Sequence, residues 1–323
     1  MPPSVSVIIP TFNRVAFLKD AIASVMAQSF TDWELIVVDD GSTDATPIVL
    51  QNYIEQDHRI RSIWTSNNGV AKARSLGIEA AKGKYISFLD DDDYYLPGKL
   101  ESQFKHLEDN PSLMFVYGYA EVVDVKNDYL KMAPRNPAHS FHDLICDSVI
   151  LPTSVLVRKV VLDEFGGFRA GLKTCEDYDL WLRIAHKYPF AFYPEIVSRY
   201  RRHDSNITHN IYQIYSDENR VRQHLLLITR NKTERKMIRE SIKRSSTRFF
   251  GIASQLAESK NYKEALRFYE SALLLNPLVS FQISWMSKRN VLLKLIYPYL
   301  SLFYCVLMLF LSQCRLKVAR SNV

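Results

Sequence analysis

The chain has 323 residues, 47% of them apolar and 24% charged, a balance that supports a full buried core and excludes a disordered or low-complexity chain. Its net charge of +6 is unevenly placed: residues 1–200 hold 20 Lys+Arg against 27 Asp+Glu, and residues 201–323 hold 21 against 8. The front is therefore mildly acidic, and the basic back half suits an anionic surface, either phospholipid or nucleic acid.

In chain order, Val5–Ile9 is a short β-branched run, and Val15–Gln28 spaces Phe17, Leu18, Ile22, Val25 and Met26 at helical intervals. Glu34–Val38 has the continuous apolar character of a strand buried on both faces, and Asp44 can cap a helix whose first turn tolerates Pro47. Ile60–Trp64 is a third strand, Val70–Ala81 a helix closed by Gly83, and Tyr85–Leu89 a fourth strand. Pro97 opens a helix to about Asn110, Leu113–Val123 is a further strand, and residues 124–150 read as irregular. Asp177–Lys187 returns to helix, with Leu180, Trp181 and Ile184 on one stripe. Strands and helices alternating at this interval predict a doubly wound α/β sheet, mostly parallel.

From about residue 210 the pattern is helical and basic. Asn261 through Pro277 resembles the second half of one tetratricopeptide repeat, which cannot stack on itself and so predicts a helical hairpin. Leu295–Ser312 carries no charge and is flanked by Lys288, Arg289 and Lys294 before and Arg315, Lys317 and Arg320 after. That segment suits contact with an anionic membrane, with a buried or oligomer-forming helix as the alternative. The expected organisation is residues 1–210, a basic helical region 211–290 and a hydrophobic segment 291–323. Nothing at the N-terminus reads as a signal peptide, and Cys146, Cys175, Cys305 and Cys314 lack paired spacing. They read as reduced thiols, placing the chain on the cytoplasmic face of a membrane.

Parallel sheets place ligands at the carboxyl ends of their strands. Here the first strand ends in Pro10-Thr11-Phe12-Asn13-Arg14, the second in Asp39-Asp40-Gly41-Ser42-Thr43-Asp44, and the fourth in Asp90-Asp91-Asp92-Asp93. No glycine-rich phosphate loop or dinucleotide fingerprint occurs, which argues against dehydrogenase and P-loop readings. Four successive aspartates repel one another unless a cation neutralises them. In extended backbone Asp90 and Asp92 share a side and could converge on Mg²⁺ or Mn²⁺; a solvated acidic turn is the alternative. Asp177 lies on the interior stripe of its helix, at an N-terminus whose dipole favours an ionised carboxylate. Asp177 or Thr174 could equally serve only as the helix cap.

Val7–Arg14, Val37–Asp44, Ala73–Ile78 with Gly83–Asp93, and Cys175–Arg183 occur in that order. Together they resemble the family-2 inverting glycosyltransferases of the GT-A fold, over about residues 4–205. The resemblance implies that Pro10, Thr11 and Asp40 hold the base and ribose of a nucleotide-sugar donor, with Asp39 supporting the loop and Arg74 approaching the diphosphate. Asp40 accepting from uracil N3–H implies a uridine preference and leaves thymidine and guanosine donors open. Asp90 and Asp92 match the outer positions of the family's Asp-x-Asp metal motif, Asp92 implied as the direct ligand and Asp90 nearer the ribose and donor sugar, with His203 a further ligand or a structural histidine. Asp177 is implied as the base and Glu176 as an acceptor contact. The expected reaction is divalent-metal-dependent transfer, with inversion, to a glycan or lipid-linked hydroxyl in cell-surface polysaccharide synthesis. A non-catalytic scaffold would be favoured by loss of Asp90, Asp92 or Asp177, and all three are present. Nucleic acid is not an expected partner, because the basic residues are not interleaved with stacking aromatics.

Overall fold

The structure is a computed structural model that describes residues 2–204, 206 and 210–276. The uncharged Leu295–Ser312 segment lies outside the described residues. The chain divides into two compact units, Met1–Ile238 and Arg239–Val323.

The first unit begins with β1 (Val5–Thr11), α1 (Val15–Met26), β2 (Trp33–Asp39), α2 (Thr46–Gln56), β3 (Ile60–Trp64), α3 (Val70–Ala80) and β4 (Tyr85–Phe88). Every residue of β1 and β2 is buried, as expected of β-branched strands covered on both faces. β3 is buried only at Ile60 and half-buried or exposed from Arg61 to Trp64, because it is the sheet edge. Val5, Val7, Ile9, Leu35 and Val37 pack against Leu18, Ile22 and Val25 of α1 in one core cluster. Full burial of each such side chain contributes about 1.5–3 kcal/mol. On the opposite face α3 lies close to β1. A Cβ added at Gly77 would fall 2.4 Å from Ile8 Cγ2, so only glycine permits that spacing. Asp44 accepts the Thr46 N–H at 2.9 Å and steadies the first turn of α2.

The chain continues through β5 (Tyr94–Tyr95), α4 (Lys99–Asp109), β6 (Phe115–Val123), β7 (Tyr129–Ala133), α5 (Phe141–Cys146), β8 (Val155–Arg158), α6 (Lys159–Phe165), α7 (Glu176–Lys187), β9 (Phe190–Arg201) and α8 (Ile211–Ile228). The sheet order is β3-β2-β1-β4-β8-β6-β9-β5, with β7 paired to β6. It is parallel from β3 to β4, after which β8 enters antiparallel to β4. The expected α/β class stands. Residues 124–150, expected to be irregular, instead hold β7 and α5, and β7 pairs in antiparallel fashion with β6. Its exposed sequence, Tyr129–Ala133, lacks the apolar alternation that marks a half-buried strand.

Two features tie the sheet to the site. The register pairs Thr11 with Asp39, so β1 and β2 end level, whereas β4 ends at Phe88 opposite Ile8 and the aspartate run that follows it reaches the β1 end, where Thr11 meets Asp91. Beneath the β4 end, the fully buried Lys99 ammonium donates to Ser87 Oγ at 2.9 Å and Gln103 Oε1 at 2.8 Å. Burial holds its pKa well below the usual lysine range.

In the second unit, α9 (Lys232–Glu258, entering from the first) and α10 (Tyr262–Leu275) pair across a short turn. Lys260 adopts φ 64°, Asn261 N–H reaches back to Leu256 C=O at 2.8 Å, and the helix reverses there. Phe249 meets Phe268 at 5.6 Å and Phe250 meets Tyr269 at 5.0 Å across the pair.

Candidate functional site

The carboxyl ends of these strands open into a pocket of about 520 Å³. Pro10, Thr11, Asp40, Arg74, Asp90, Asp92, Glu176 and Asp177, singled out in the sequence, all line it. Asp39 and His203 stand behind it.

The β1 and β2 ends are organised by their own polar side chains. Asp39 Oδ1 accepts Ser42 N–H at 2.9 Å, and Asn13 Oδ1 accepts Thr43 N–H at 2.7 Å. Asp40 receives Asn68 N–H on Oδ1 at 2.8 Å and Gly69 N–H on Oδ2 at 2.7 Å. This carboxylate thus fixes the loop that starts α3 while facing the pocket.

The four aspartates form a turn, closed by Asp93 N–H to Asp90 C=O at 3.0 Å, and not the extended segment expected. The carboxylates turn to separate partners except that Arg14 Nη1 is shared, reaching Asp91 Oδ1 at 3.2 Å as well as Asp92. Asp90 accepts from Arg74, Asp91 accepts Thr11 Oγ at 2.8 Å, and Asp92 Oδ2 accepts Arg14 Nη1 at 2.6 Å and meets His203 Nε2 at 2.9 Å. Burial and the neighbouring Asp92 push the Asp91 carboxyl up to about 7, against the pull of Arg14 and Thr11. Asp93 is fully buried, accepts Arg201 N–H at 3.0 Å and leaves one oxygen without a partner. Burial and the charges of Asp92 and Asp90 raise its pKa well above the carboxylate range. Asp93 thus anchors the end of β9 and stands apart from the pocket. His203 stacks on Phe17 at 4.8 Å, which fixes its ring beside Asp92. Among the described residues, no three His, Cys, Asp or Glu side chains form a ready metal-ligand shell.

Across the pocket, α7 carries Glu176 and Asp177 in its first turn. Arg74 is 3% exposed and donates to both Asp90 and Glu176, so one buried guanidinium joins the aspartate turn to the start of α7. Asp177 Oδ1 accepts Tyr178 N–H at 2.8 Å. Burial and the Glu176 charge push its carboxyl up to about 7, opposed by Arg74 and the Tyr178 N–H. The helix N-terminus is expected to favour the ionised form, and at this position loss of water and a like-charged neighbour act against it.

Sequence reasoning missed several contributors. Arg14 gave no signal beyond its place after Asn13, and Ser148, Ile150, Leu151 and Pro152 come from a segment without periodicity. Ile214 and Glu218 of α8 also line the pocket, and their four-residue spacing places them on one helix face.

The pattern defining Glycosyl transferase family 2 matches residues 6–165. The Bacillus subtilis protein described as the putative teichuronic acid biosynthesis glycosyltransferase TuaG is 31% identical over 212 residues, 64% of this chain and 82% of that protein. An uncharacterized glycosyltransferase of Rickettsia typhi is 32% identical over 214 residues, 64% of this chain; the chain spans about two thirds (66%) of that relative. It spans 34% of another such protein from Rickettsia felis. The chain belongs to glycosyl transferase family 2. Among solved structures, S. aureus TarS 1–349 in complex with UDP-GlcNAc superposes with a TM-score of 0.63 at 20% identity, over 88% of this chain and 85% of that one. The mannosyltransferase PcManGT from Pyrobaculum calidifontis, in complex with GDP-Man and Mn²⁺, gives 0.59 at 16% identity, over 89% of each chain. These likenesses carry the fold, which is GT-A.

Proposed function

We propose that the chain transfers a sugar, with inversion, from a nucleotide diphosphate sugar of uridine preference to a hydroxyl of a glycan or lipid-linked acceptor. The product would belong to a cell-surface polysaccharide. The observation that carries this reading is the Arg74 bridge, which couples the Asp90 end of the donor side to the loop bearing Asp177. A carboxyl held near 7 is matched to accepting a proton at neutral pH. Asp177 takes the proton of the acceptor hydroxyl while the acceptor oxygen forms a bond to the anomeric carbon. The bond from that carbon to the diphosphate breaks on the opposite side, and the nucleoside diphosphate leaves with the electron pair.

The remaining roles follow from placement. Asp40 retains acceptor lone pairs for the base N3–H beyond its two loop hydrogen bonds. Thr11 and Pro10 border the ribose, and Arg74 lends positive potential to the diphosphate. Glu176, beside Asp177, contacts the acceptor. Asp92, His203 and Asp90 suit a hard divalent ion, because the imidazole and the Asp92 carboxylate already meet at 2.9 Å beside the pocket. Mn²⁺ or Mg²⁺, when bound there, stabilises negative charge on the diphosphate.

Nucleotide-sugar hydrolysis with Mn²⁺ or Mg²⁺, with and without glycan and lipid-linked acceptors, tests the assignment, with product configuration read by NMR. Inverted product and nucleoside diphosphate are expected; a retained configuration would overturn the single displacement.

The acceptor side also bears on location. No helix among the described residues is long and apolar enough to cross a membrane. Residues 201–323 hold 21 Lys+Arg against 8 Asp+Glu, and each such residue near an anionic surface contributes about 1 kcal/mol that salt screens. With the uncharged Leu295–Ser312, they would hold the enzyme at the cytoplasmic face, peripherally or anchored by that segment. Removing residues 290–323 should preserve UDP binding and lower turnover of membrane-borne acceptors. A full-length chain that stays in the supernatant with anionic vesicles at low salt would defeat this part alone.

A further inference from the structure

The loop that delivers Asp177 cannot hold its shape by itself. Cys175, immediately before α7, adopts the left-handed conformation at φ 62°, which non-glycine residues disfavour, and no side chain of its own caps the helix. The restraint comes from α8, beyond residues 6–165. Asp217 is 0% exposed, and its Oδ2 accepts Lys173 N–H at 3.1 Å, Thr174 N–H at 3.0 Å and Thr174 Oγ at 3.1 Å. Gln213 Nε2 donates to the same oxygen at 2.8 Å. On Oδ1, Asp217 accepts Arg220 Nη1 at 3.0 Å, and that nitrogen also donates to Gly171 C=O at 3.2 Å. The Cys175 thiol points to Ile214 C=O at 3.6 Å, a second link from loop to helix.

We infer that Asp217 is a positioning residue for transfer: it latches residues 173–175 to α8 and thereby aims Asp177 into the pocket. The inference rests on the reading of Asp177 as the base. Asp217 does not line the pocket, whereas Thr174, Cys175, Glu176 and Asp177 do. Burial pushes its carboxyl up, but the hydrogen bonds from Gln213, Thr174 and Arg220 prevail and keep it ionised. Two parallel N–H donors and a hydroxyl on one carboxylate oxygen fix both distance and direction, which a buried apolar contact would not.

The test compares Asp217→Ala, Asp217→Asn and Asp177→Asn singly, and Asp217→Ala combined with Asp177→Asn. UDP with Mn²⁺ serves as the donor-side probe, and kcat is read with the nucleotide sugar that the wild type turns over. Asp217→Ala should lower kcat on the order of 10- to 100-fold while UDP affinity stays within about twofold. Amide exchange at Lys173 and Thr174 and thiol labelling of Cys175 should both speed up. Asp217→Asn keeps an oxygen for the loop donors and should recover most of kcat. In the Asp177→Asn background Asp217→Ala should add no further loss, because its effect passes through that carboxylate.

Wild-type kcat in Asp217→Ala, an equal extra loss in the Asp177→Asn background, or UDP affinity falling in step with kcat would each overturn the latch. If Asp217→Ala does not fold, Thr174→Val removes one contact from the loop side. It should slow kcat a few-fold at unchanged UDP affinity, and no slowing there counts against the proposal equally. Wild-type turnover by Asp177→Asn would remove the base reading and the latch with it. A slow Asp177→Asn beside a fast Asp217→Ala removes the latch alone.

Discussion

The two walls of the pocket are built on different principles. One wall is the carboxyl end of a parallel sheet, where Thr11 ends its strand in register with Asp39 and Asp40 and Asp90–Asp92 follow directly from the ends of β2 and β4. The other is assembled from segments far apart in sequence: Ser148–Pro152, the 174–177 loop, and Ile214 with Glu218 of α8. The sheet wall can change little without unpairing strands, whereas the opposite wall can change with each loop. A fold that serves many transfers would keep the donor on the first wall and vary the acceptor on the second.

The largest effect that tests this division lies at Asp177. Asp177→Asn keeps shape but cannot take a proton, so transfer should fall by roughly two to four powers of ten while UDP still binds. Comparable turnover would move the base elsewhere, with Glu176 the first candidate. On the sheet wall, Asp92→Ala should instead erase most of the divalent-dependent gain in UDP affinity, a loss on the order of 10- to 100-fold. Circular dichroism should show it still folded; undiminished Mn²⁺-dependent affinity would remove Asp92 from the donor wall.

A smaller effect is expected from pH. With its carboxyl raised to about 7, Asp177 is protonated below that value and cannot act as base, so the rate should drop about tenfold per unit below pH 7 and level off above it. Glu176→Gln removes the like charge that helps raise it, and the rising limb should shift to lower pH. A limb unmoved by that substitution would mean that the two acidic residues of α7 do not sense each other.

The difference between the walls also explains what the sequence could tell. β-branched runs ending in Pro10-Thr11, Asp39-Asp40 and Asp90–Asp93 announce strands and their ligand-facing ends, because buried parallel strands tolerate little else. The turn in the aspartate run, by contrast, depends on Arg14, Thr11, Arg74 and His203 each pairing with a carboxylate, and no spacing encodes such tertiary partners. β8 and β9 were not read as strands, and α8 looked only basic and helical. Asp217 within it resembles any surface aspartate until the fold buries it under the 173–174 loop.

Gly77 stands one turn along α3 from Arg74 and touches no part of the pocket. Yet the missing carbon there sets how near the helix rides to Ile8, and so how far into the pocket the guanidinium extends. Even alanine at this position would act as a shim, lifting the helix and withdrawing a positive charge from the reaction. Variation at a spot sealed in hydrocarbon would then show as a slow enzyme, a fault of alignment originating on the far side of a backbone.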